Sequence, residues 1–305
     1  MDDRTLDERL DTVRVFARIA PSQKQRLVHR LQRAGHTVAV IGDGINDAPA
    51  LKAANVGIAM GEIGTDLAKE ASDLILTDDS YVNLPDAITI GGKALDNFRK
   101  GLTYYLSAKA IVLSIFLVLL ALGIPFPFAP IHIILTELLM DLASSTIFTT
   151  ETAEPNVMRR RAETITSFLN RSITTRIAKN GAPLAVAILG IYLWLYYERG
   201  DVTLAQTAAF VTWLLGHIML ALNLKQEQLP LLRQGIFSNR FATGWLLAMT
   251  LLSLAMTGIP ALHGYLHTTS LPVDVWTVIL IAVVAATWWI EATKLFGVPP
   301  VPARA

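Results

Sequence analysis

Six long apolar stretches fill most of residues 102–297, and they constrain the fold more than any other feature of the chain. A helix that crosses a bilayer needs about 20 consecutive, mostly apolar residues, and each stretch is about that long. They lie at 102–122, 131–149, 177–197, 205–224, 241–260 and 273–296. Hydrophobic residues make up 52% of the chain and charged residues only 17%, and most of that charge falls in residues 1–100. We therefore expect a soluble first third followed by an all-α membrane bundle of six transmembrane helices.

Basic residues are distributed unevenly among the loops that join these stretches. The loops after the second and fourth stretches hold Arg159, Arg160, Arg161, Arg171, Arg176, Lys225, Arg233 and Arg240. The opposite loops contain only Arg199. By the positive-inside rule, the N-terminal domain and the C-terminus are cytoplasmic, and we expect a multi-pass protein of a bacterial-type cell membrane. The same asymmetry disfavours the alternative that the stretches are buried helices of a soluble protein.

The first 82 residues alternate short β-type runs with helical patterns. We predict strands at Val13–Phe16, Thr37–Ile41, Val56–Met60 and Leu74–Thr77. Helices are predicted between them at 22–34, 48–54 and 65–71. This alternation is typical of a parallel sheet covered by helices, and about four strands is small for that class. The sheet is therefore expected to be partial.

Two features of the composition exclude whole classes of function. The formal net charge is +1, so the chain lacks the basic surface of a nucleic-acid-binding protein, and we expect no nucleic-acid partner. The chain contains no cysteine, which excludes disulfides, thiolate metal sites and cysteine catalysis.

The segment Gly42–Leu51 carries the chemistry that the sequence predicts most specifically. Asp43 and Asp47 lie four residues apart at the end of a predicted strand, and ligands of open α/β sheets bind at that edge. Magnesium is typically held there by one or two carboxylates together with phosphate oxygens. Glycines 42 and 44 allow the backbone to approach a phosphoryl group closely. A turn rich in Asp, Asn and Gly is the simpler alternative.

This ten-residue segment resembles the hinge motif of P-type ATPases, members of the haloacid dehalogenase superfamily, which disfavours a simple turn. The resemblance continues through segments 56–61, 64–66 and 68–73, and upstream at 18–24. Six terminal membrane helices are also the layout of the type II cation pumps. The resemblance implies an α/β, partial haloacid-dehalogenase-like (Rossmannoid) parallel sheet ahead of the membrane bundle.

The resemblance also implies a role for each residue of the motif. Asp43 and Asp47 would bind magnesium, and Asn46 would help hold the metal and the phosphoryl group. Lys24 would neutralise charge on the transferred phosphoryl, although a solvated surface lysine is the plainer interpretation of a lone lysine. ATP would be the substrate of the complete pump. The family usually has threonine where this chain has Ile41.

The expected domain boundaries follow from the same resemblance. Residues 1–82 would be the C-terminal part of the phosphorylation domain, and 83–101 a stalk helix that continues into the first membrane helix. Residues 102–297 would be the six-helix transmembrane domain, and 298–305 a cytoplasmic tail.

Three ionisable residues interrupt the first two apolar stretches, where a charge at the membrane centre costs about 2.5–3.5 kcal/mol on insertion scales. They are Lys109 in the first and Glu137 and Asp141 in the second; the i, i+4 spacing places the two acids on one helix face. In type II pumps these two helices carry the transport site, and Val112 stands here where the family has a glutamate. We predict a proton or monovalent-cation site rather than a calcium site; a structural salt bridge is the alternative. His217 is a further candidate ligand, although a lone histidine between helices is more often structural.

The phosphorylated aspartate of the family, in Asp-Lys-Thr-Gly-Thr, is absent from this sequence. We therefore expect that the chain alone does not hydrolyse ATP, because covalent catalysis needs its nucleophile. The function predicted is ATP-driven cation transport in partnership with the bilayer, the transported cation and the missing N-terminal pump domains. The alternatives are a truncated or regulatory non-catalytic membrane protein and, less favoured, a membrane-anchored phosphatase.

Overall fold

The computed structural model describes residues 3–10, 12–154, 156–158, 171–225 and 230–297. Within the helices, the side chains of residues 140–145, 172, 232, 234 and 295–297 lie outside this description. The predicted tail 298–305 and Arg159–Arg161 also fall outside it. The chain divides into two compact units, Met1–Ala87 and Ile88–Ala305, which are treated separately below.

Unit 1 is built on a parallel sheet of three strands in the order β1-β2-β3. The strands are β1 (Ala39–Gly42), β2 (Val56–Met60) and β3 (Leu74–Leu76). In the register, Gly42 pairs with Ala59 and Met60 with Leu76. Because the strands are parallel, all three carboxyl ends meet at one edge of the sheet, where the Gly42 segment begins.

Four helices accompany these strands: α1 (Asp3–Arg9), α2 (Pro21–Arg33), α3 (Ala48–Ala53) and α4 (Asp66–Glu70). Pro21 suits the first position of α2 because its fixed φ matches the helix and its missing N–H would be unbonded there anyway. Thr65 caps α4 by accepting a hydrogen bond from the N–H of Ala68. A small core of Leu51, Ala59 and Ala68 joins α3, β2 and α4.

The predicted strand Val13–Phe16 is wrong, because residues 12–16 form no strand in the structure. Val15 is 80% exposed, and no strand of the described residues pairs with this run. A short apolar run becomes a strand only when a neighbour satisfies its backbone hydrogen bonds. The other three predicted strands are present within two residues of their predicted bounds.

Unit 2 is helical throughout its regular structure. A short 3-10 helix at the end of unit 1, Tyr81–Asn83, leads into α5 (Leu84–Leu122), a 39-residue helix that begins in unit 1 and continues into unit 2. Its continuity into the first apolar stretch is as predicted. The remaining helices are α6 (Pro130–Thr149), α7 (Arg171–Glu198), α8 (Val202–Lys225), α9 (Leu231–Gln234), α10 (Arg240–Gly258), α11 (Pro260–Leu266) and α12 (Val273–Gly297). Helix α8 is the centre of the bundle, buried along most of its length and packed against α6, α7, α10 and α12.

Five of the helices in the described part of the chain, α5, α7, α8, α10 and α12, are long and apolar enough to cross a membrane. The predicted second span coincides with the 20-residue helix α6, whose described segment Pro130–Leu139 is apolar. The fold class, a small parallel sheet followed by a helical membrane region, is therefore confirmed. Within the residues that the structure describes, five of the six predicted spans are found.

Candidate functional site

The carboxyl end of β1 brings the two aspartates of the hinge segment to the sheet edge. Asp43 follows β1 and is exposed, whereas Asp47 stands at the start of α3 and is 9% exposed. A Cβ atom on Gly42 would lie 2.4 Å from the Cβ of Asp47. Glycine at position 42 is therefore required for the Asp47 side chain to fold back against the end of the strand.

Lys24 reaches the same edge from the first turn of α2. Its Nζ lies 2.5 Å from Oδ1 of Asp47, although the two residues are 23 positions apart in sequence. The contact depends on the packing of α2 against α3. Gly44 forms the turn between the aspartates, its carbonyl accepting the Asp47 N–H at 3.0 Å, and Asn46 is exposed beside them. The structure thus brings Lys24 and the hinge residues together at one edge.

A second loop lies behind the hinge segment. The N–H of Thr65 donates to the carbonyl of Asp43 at 2.8 Å. The preceding residues Gly61, Glu62 and Ile63 donate their N–H groups to the carboxylate of Asp79, at 2.6, 3.0 and 2.9 Å. Sequence reasoning missed Asp79, although its place just after β3 puts it at the same edge as the hinge.

The donor set at this edge fits magnesium. Asp43 and Asp47 offer hard carboxylate oxygens, and Asp43 faces solvent. Among the described residues, no group of three or more His, Cys, Asp or Glu side chains is close enough to enclose a metal. Magnesium suits such a site, because it keeps several waters and uses one or two carboxylates together with phosphate oxygens.

In unit 2, Lys109 of α5 forms an ion pair with Glu137 of α6. The Lys109 ammonium also lies 4.8 Å from the centre of the Tyr105 ring. Thr136, Val112 and Trp213 help to line the pocket beside the pair. Asp141 lies one turn further along α6, but its side chain is outside the described part of the structure.

His217, the fourth candidate of the cation site, is fully buried in α8 and uses both ring nitrogens within that helix. Its Nε2 accepts the indole N–H of Trp213 at 3.0 Å, and its Nδ1 lies 2.7 Å from the Trp213 carbonyl, to which it donates. The ring also meets Tyr104 edge-on, with centroids 5.9 Å apart. In this arrangement no ring lone pair is directed at a cation.

A buried charge cluster, formed by Lys100, Glu151, Glu154 and Lys225, was missed by sequence reasoning. Lys100 Nζ lies 2.6 Å from Oε1 of Glu154 and donates to the carbonyl of Lys225 at 3.0 Å. Lys225 Nζ lies 4.0 Å from Oε2 of Glu151 and donates to Ser238 at 2.6 Å. The sequence shows only charges near helix ends, a pattern that ordinarily indicates solvated loops.

These features define a multi-pass membrane protein that carries part of a haloacid-dehalogenase-like domain. Residues 125–296 match the family of the cation transporting ATPase C-terminus, and residues 2–55 match the haloacid dehalogenase-like hydrolases. The chain therefore belongs to the cation-transporting P-type ATPase family and corresponds to its C-terminal portion.

Individual relatives support the same placement. The chain is 30% identical to a calcium-transporting ATPase of Bacillus subtilis, over 92% of this chain and 32% of the relative. It is 34% identical to calcium-transporting ATPase 1 of Yarrowia lipolytica, over 97% of this chain and 32% of that protein. A probable cation-transporting ATPase F of Mycobacterium tuberculosis is 31% identical, over 92% and 31%. The chain spans about a third of the length of these relatives, two of which are named for calcium.

Proposed function

We propose that this chain acts within an ATP-driven cation pump, supplying the magnesium and phosphoryl edge of the phosphorylation domain and the helices of the cation site. The observation that carries the proposal is the contact of Lys24 with Asp47, which assembles a cation and a metal-binding acid at one sheet edge. In this scheme residues 1–82 belong to the phosphorylation domain, 83–101 form the stalk and 102–297 the transmembrane domain, with 298–305 as a tail. The remaining pump domains and the bilayer are its partners.

The roles of the edge residues follow from their chemistry. Asp43 and Asp47 hold magnesium, which when bound neutralises charge on the phosphoryl group. Asn46 orients the phosphoryl oxygens from the exposed turn, and Gly42 and Gly44 keep the backbone close. The Lys24 ammonium lies beside Asp47, at the sheet edge where the phosphoryl group would bind, and would neutralise charge on that group.

For the transported ion, the Lys109–Glu137 pair favours a proton or a monovalent cation. The Lys109 ammonium already neutralises one of the acids that would bind a cation, and Val112 adds no oxygen to the pocket. Calcium takes six to eight oxygen ligands, which this pocket does not offer among its described side chains. Calcium is the second candidate, because two of the relatives are named for it.

The proposed orientation places the N-terminal unit and the C-terminus in the cytoplasm of a bacterial-type cell. In the described part of the chain, Arg171, Arg176 and Lys179 lie in the first turns of α7, and Arg240 begins α10. At the other end of α7 its last turn has no basic residue, and Arg199 follows directly after the helix. This distribution agrees with the positive-inside rule.

The test joins this chain to the preceding two-thirds of the Bacillus subtilis relative and measures ATP hydrolysis in membranes. We expect magnesium-dependent hydrolysis that is lost in Asp43→Asn and is not stimulated by micromolar calcium. Hydrolysis that micromolar calcium stimulates, and that Lys109→Ala retains, would instead support the calcium candidate. A correctly folded fusion that is inactive under every cation condition would support the non-catalytic, regulatory alternative.

A further inference from the structure

Asp79 makes a contact that the proposed chemistry does not use. Its carboxylate accepts three consecutive backbone N–H groups: Oδ1 takes those of Gly61 and Glu62, and Oδ2 that of Ile63. Asp79 has a φ of 52°, in the left-handed region that non-glycine residues enter infrequently. The chain therefore adopts an uncommon backbone conformation that aims this side chain at the 61–63 loop.

The 61–63 loop is held closely on other sides as well. The N–H of Gly61 also lies 2.8 Å from the carbonyl of Leu76 in β3. A Cβ atom on Gly64 would lie 1.9 Å from the carbonyl oxygen of Met60, so the chain turns too tightly there for any side chain. The loop therefore has little freedom to shift while Asp79 holds its three N–H groups.

The fixed loop ends at the residue that contacts the hinge. Two positions after Ile63, the N–H of Thr65 donates to the carbonyl of Asp43 at 2.8 Å. A continuous path thus runs from the Asp79 carboxylate through the 61–65 backbone to the main chain of Asp43. The Asp43 side chain is exposed, so its backbone position depends on contacts of the main chain such as this one.

We propose that Asp79 is a positioning residue for the magnesium site, fixing the backbone of Asp43 through the 61–65 loop; the inference rests on the function proposed for Asp43. Asp79 does not bind the metal itself, because both carboxylate oxygens are directed to the loop N–H groups. Backbone partners of this kind act as outer-shell groups do at metal sites, where their loss weakens metal affinity about 10–100-fold.

The neighbouring Asp78 provides a matched control. Its carboxylate accepts the N–H of Ser80 and the side-chain amide of Asn83, at 3.2 and 2.7 Å, and these partners lie outside the 61–63 loop. Asp78→Asn and Asp79→Asn therefore remove the same charge at adjacent positions. Asparagine tolerates the left-handed backbone, so Asp79→Asn keeps the conformation of residue 79. It replaces one of the two accepting oxygens by an NH2 group, which is a donor and cannot accept a loop N–H, and it removes the charge from the remaining contacts.

The experiment uses the full chain in lipid nanodiscs. Magnesium binding is titrated calorimetrically, and hydrogen exchange is followed at the amides of residues 61–65. We expect about 10-fold weaker magnesium binding and faster exchange of those amides in Asp79→Asn, with both quantities unchanged in Asp78→Asn. Wild-type magnesium affinity in Asp79→Asn, with affinity weakened in Asp43→Asn, would overturn the role of Asp79 alone.

Two further outcomes are decisive. Unchanged magnesium affinity in Asp43→Asn would overturn the proposed metal site itself and the Asp79 inference with it. If Asp79→Asn fails to fold, Asp79→Ser keeps one acceptor for the loop, and a partial loss of affinity is expected. Wild-type affinity in a folded Asp79→Ser whose loop amides exchange faster would count against the inference.

Discussion

Lys100 Nζ lies 2.6 Å from the carboxylate of Glu154, and the two side chains are only 2% and 3% exposed. This ion pair links α5 to the segment that follows α6. Glu151, three residues earlier, accepts a hydrogen bond from Asn239 of α10 at 3.1 Å. The buried charge cluster therefore ties three parts of unit 2 together through hydrogen-bonded charges.

Replacing one residue of this pair should lower the free energy of unfolding more than replacing both. Lys100→Met removes the ammonium beside the buried Glu154 carboxylate, and breaking a buried ion pair in this way typically costs about 3–5 kcal/mol. The double replacement Lys100→Met with Glu154→Met should recover much of that loss, because no buried charge of the pair remains. Thermal unfolding of each variant in nanodiscs measures both differences.

The pair formed by Arg199 and Asp274 serves as the control for this prediction. Its side chains are 44% and 54% exposed, so Arg199→Met should change the free energy of unfolding by less than about 1 kcal/mol. Equal losses in Lys100→Met and Arg199→Met would contradict the claim that burial makes the first pair costly to break.

At the hinge, Lys24→Met should change metal and phosphate affinity in opposite directions. The ammonium beside Asp47 opposes magnesium, so its removal should strengthen magnesium binding by about fivefold, equivalent to about 1 kcal/mol at this part-exposed site. The same change should weaken binding of inorganic phosphate, which loses a positive charge. Calorimetric titration of the chain with magnesium and, separately, with phosphate tests both signs.

Lys52 is the matched control, because it is exposed in α3 and its loss removes the same charge from unit 1. Lys52→Met should leave both affinities close to wild type. Parallel changes in the two lysine variants would show that net charge, rather than the contact with Asp47, determines the effect.

The contribution of Asp79 to the stability of the folded chain should depend on pH. Desolvation would raise the pKa of its carboxyl, but the N–H groups of Ile63, Glu62 and Gly61 outweigh it, so the pKa lies below its ordinary value. A lowered pKa in the folded state adds stability above about pH 4, and this is lost as the pH falls through the folded-state pKa. The difference in melting temperature between wild type and Asp79→Asn should therefore shrink below about pH 4. A difference that does not vary with pH would refute this linkage.

Sequence reasoning succeeded where a local pattern determines the structure. The strand Val56–Met60 has its predicted bounds, and the helix beginning near Asn83 continues into the apolar stretch without a break. Both are long or regular enough for periodicity to identify them. The short helices α9 and α11, of four and seven residues, carry no comparable signal.

The rest could not be read from the sequence because it depends on which elements pack together. Lys100 and Lys225 look like ordinary charges near membrane-helix ends, and only the bundle reveals that both are buried. Family resemblance placed Lys24 at the same site as the hinge residues. The hydrogen bonds between the Asp79 carboxylate and the 61–63 loop had no sequence signature beyond the position of Asp79 after β3.

The proposal that most needs a direct test is that the fixed cation at Lys109 favours transport of a proton or a monovalent cation over calcium. Ion flux in proteoliposomes containing the fusion with the Bacillus subtilis relative tests it most directly. We expect ATP-dependent movement of protons or a monovalent cation that is altered in Lys109→Ala, with no uptake of radioactive calcium. ATP-dependent calcium uptake at micromolar calcium, unchanged by Lys109→Ala, would contradict it.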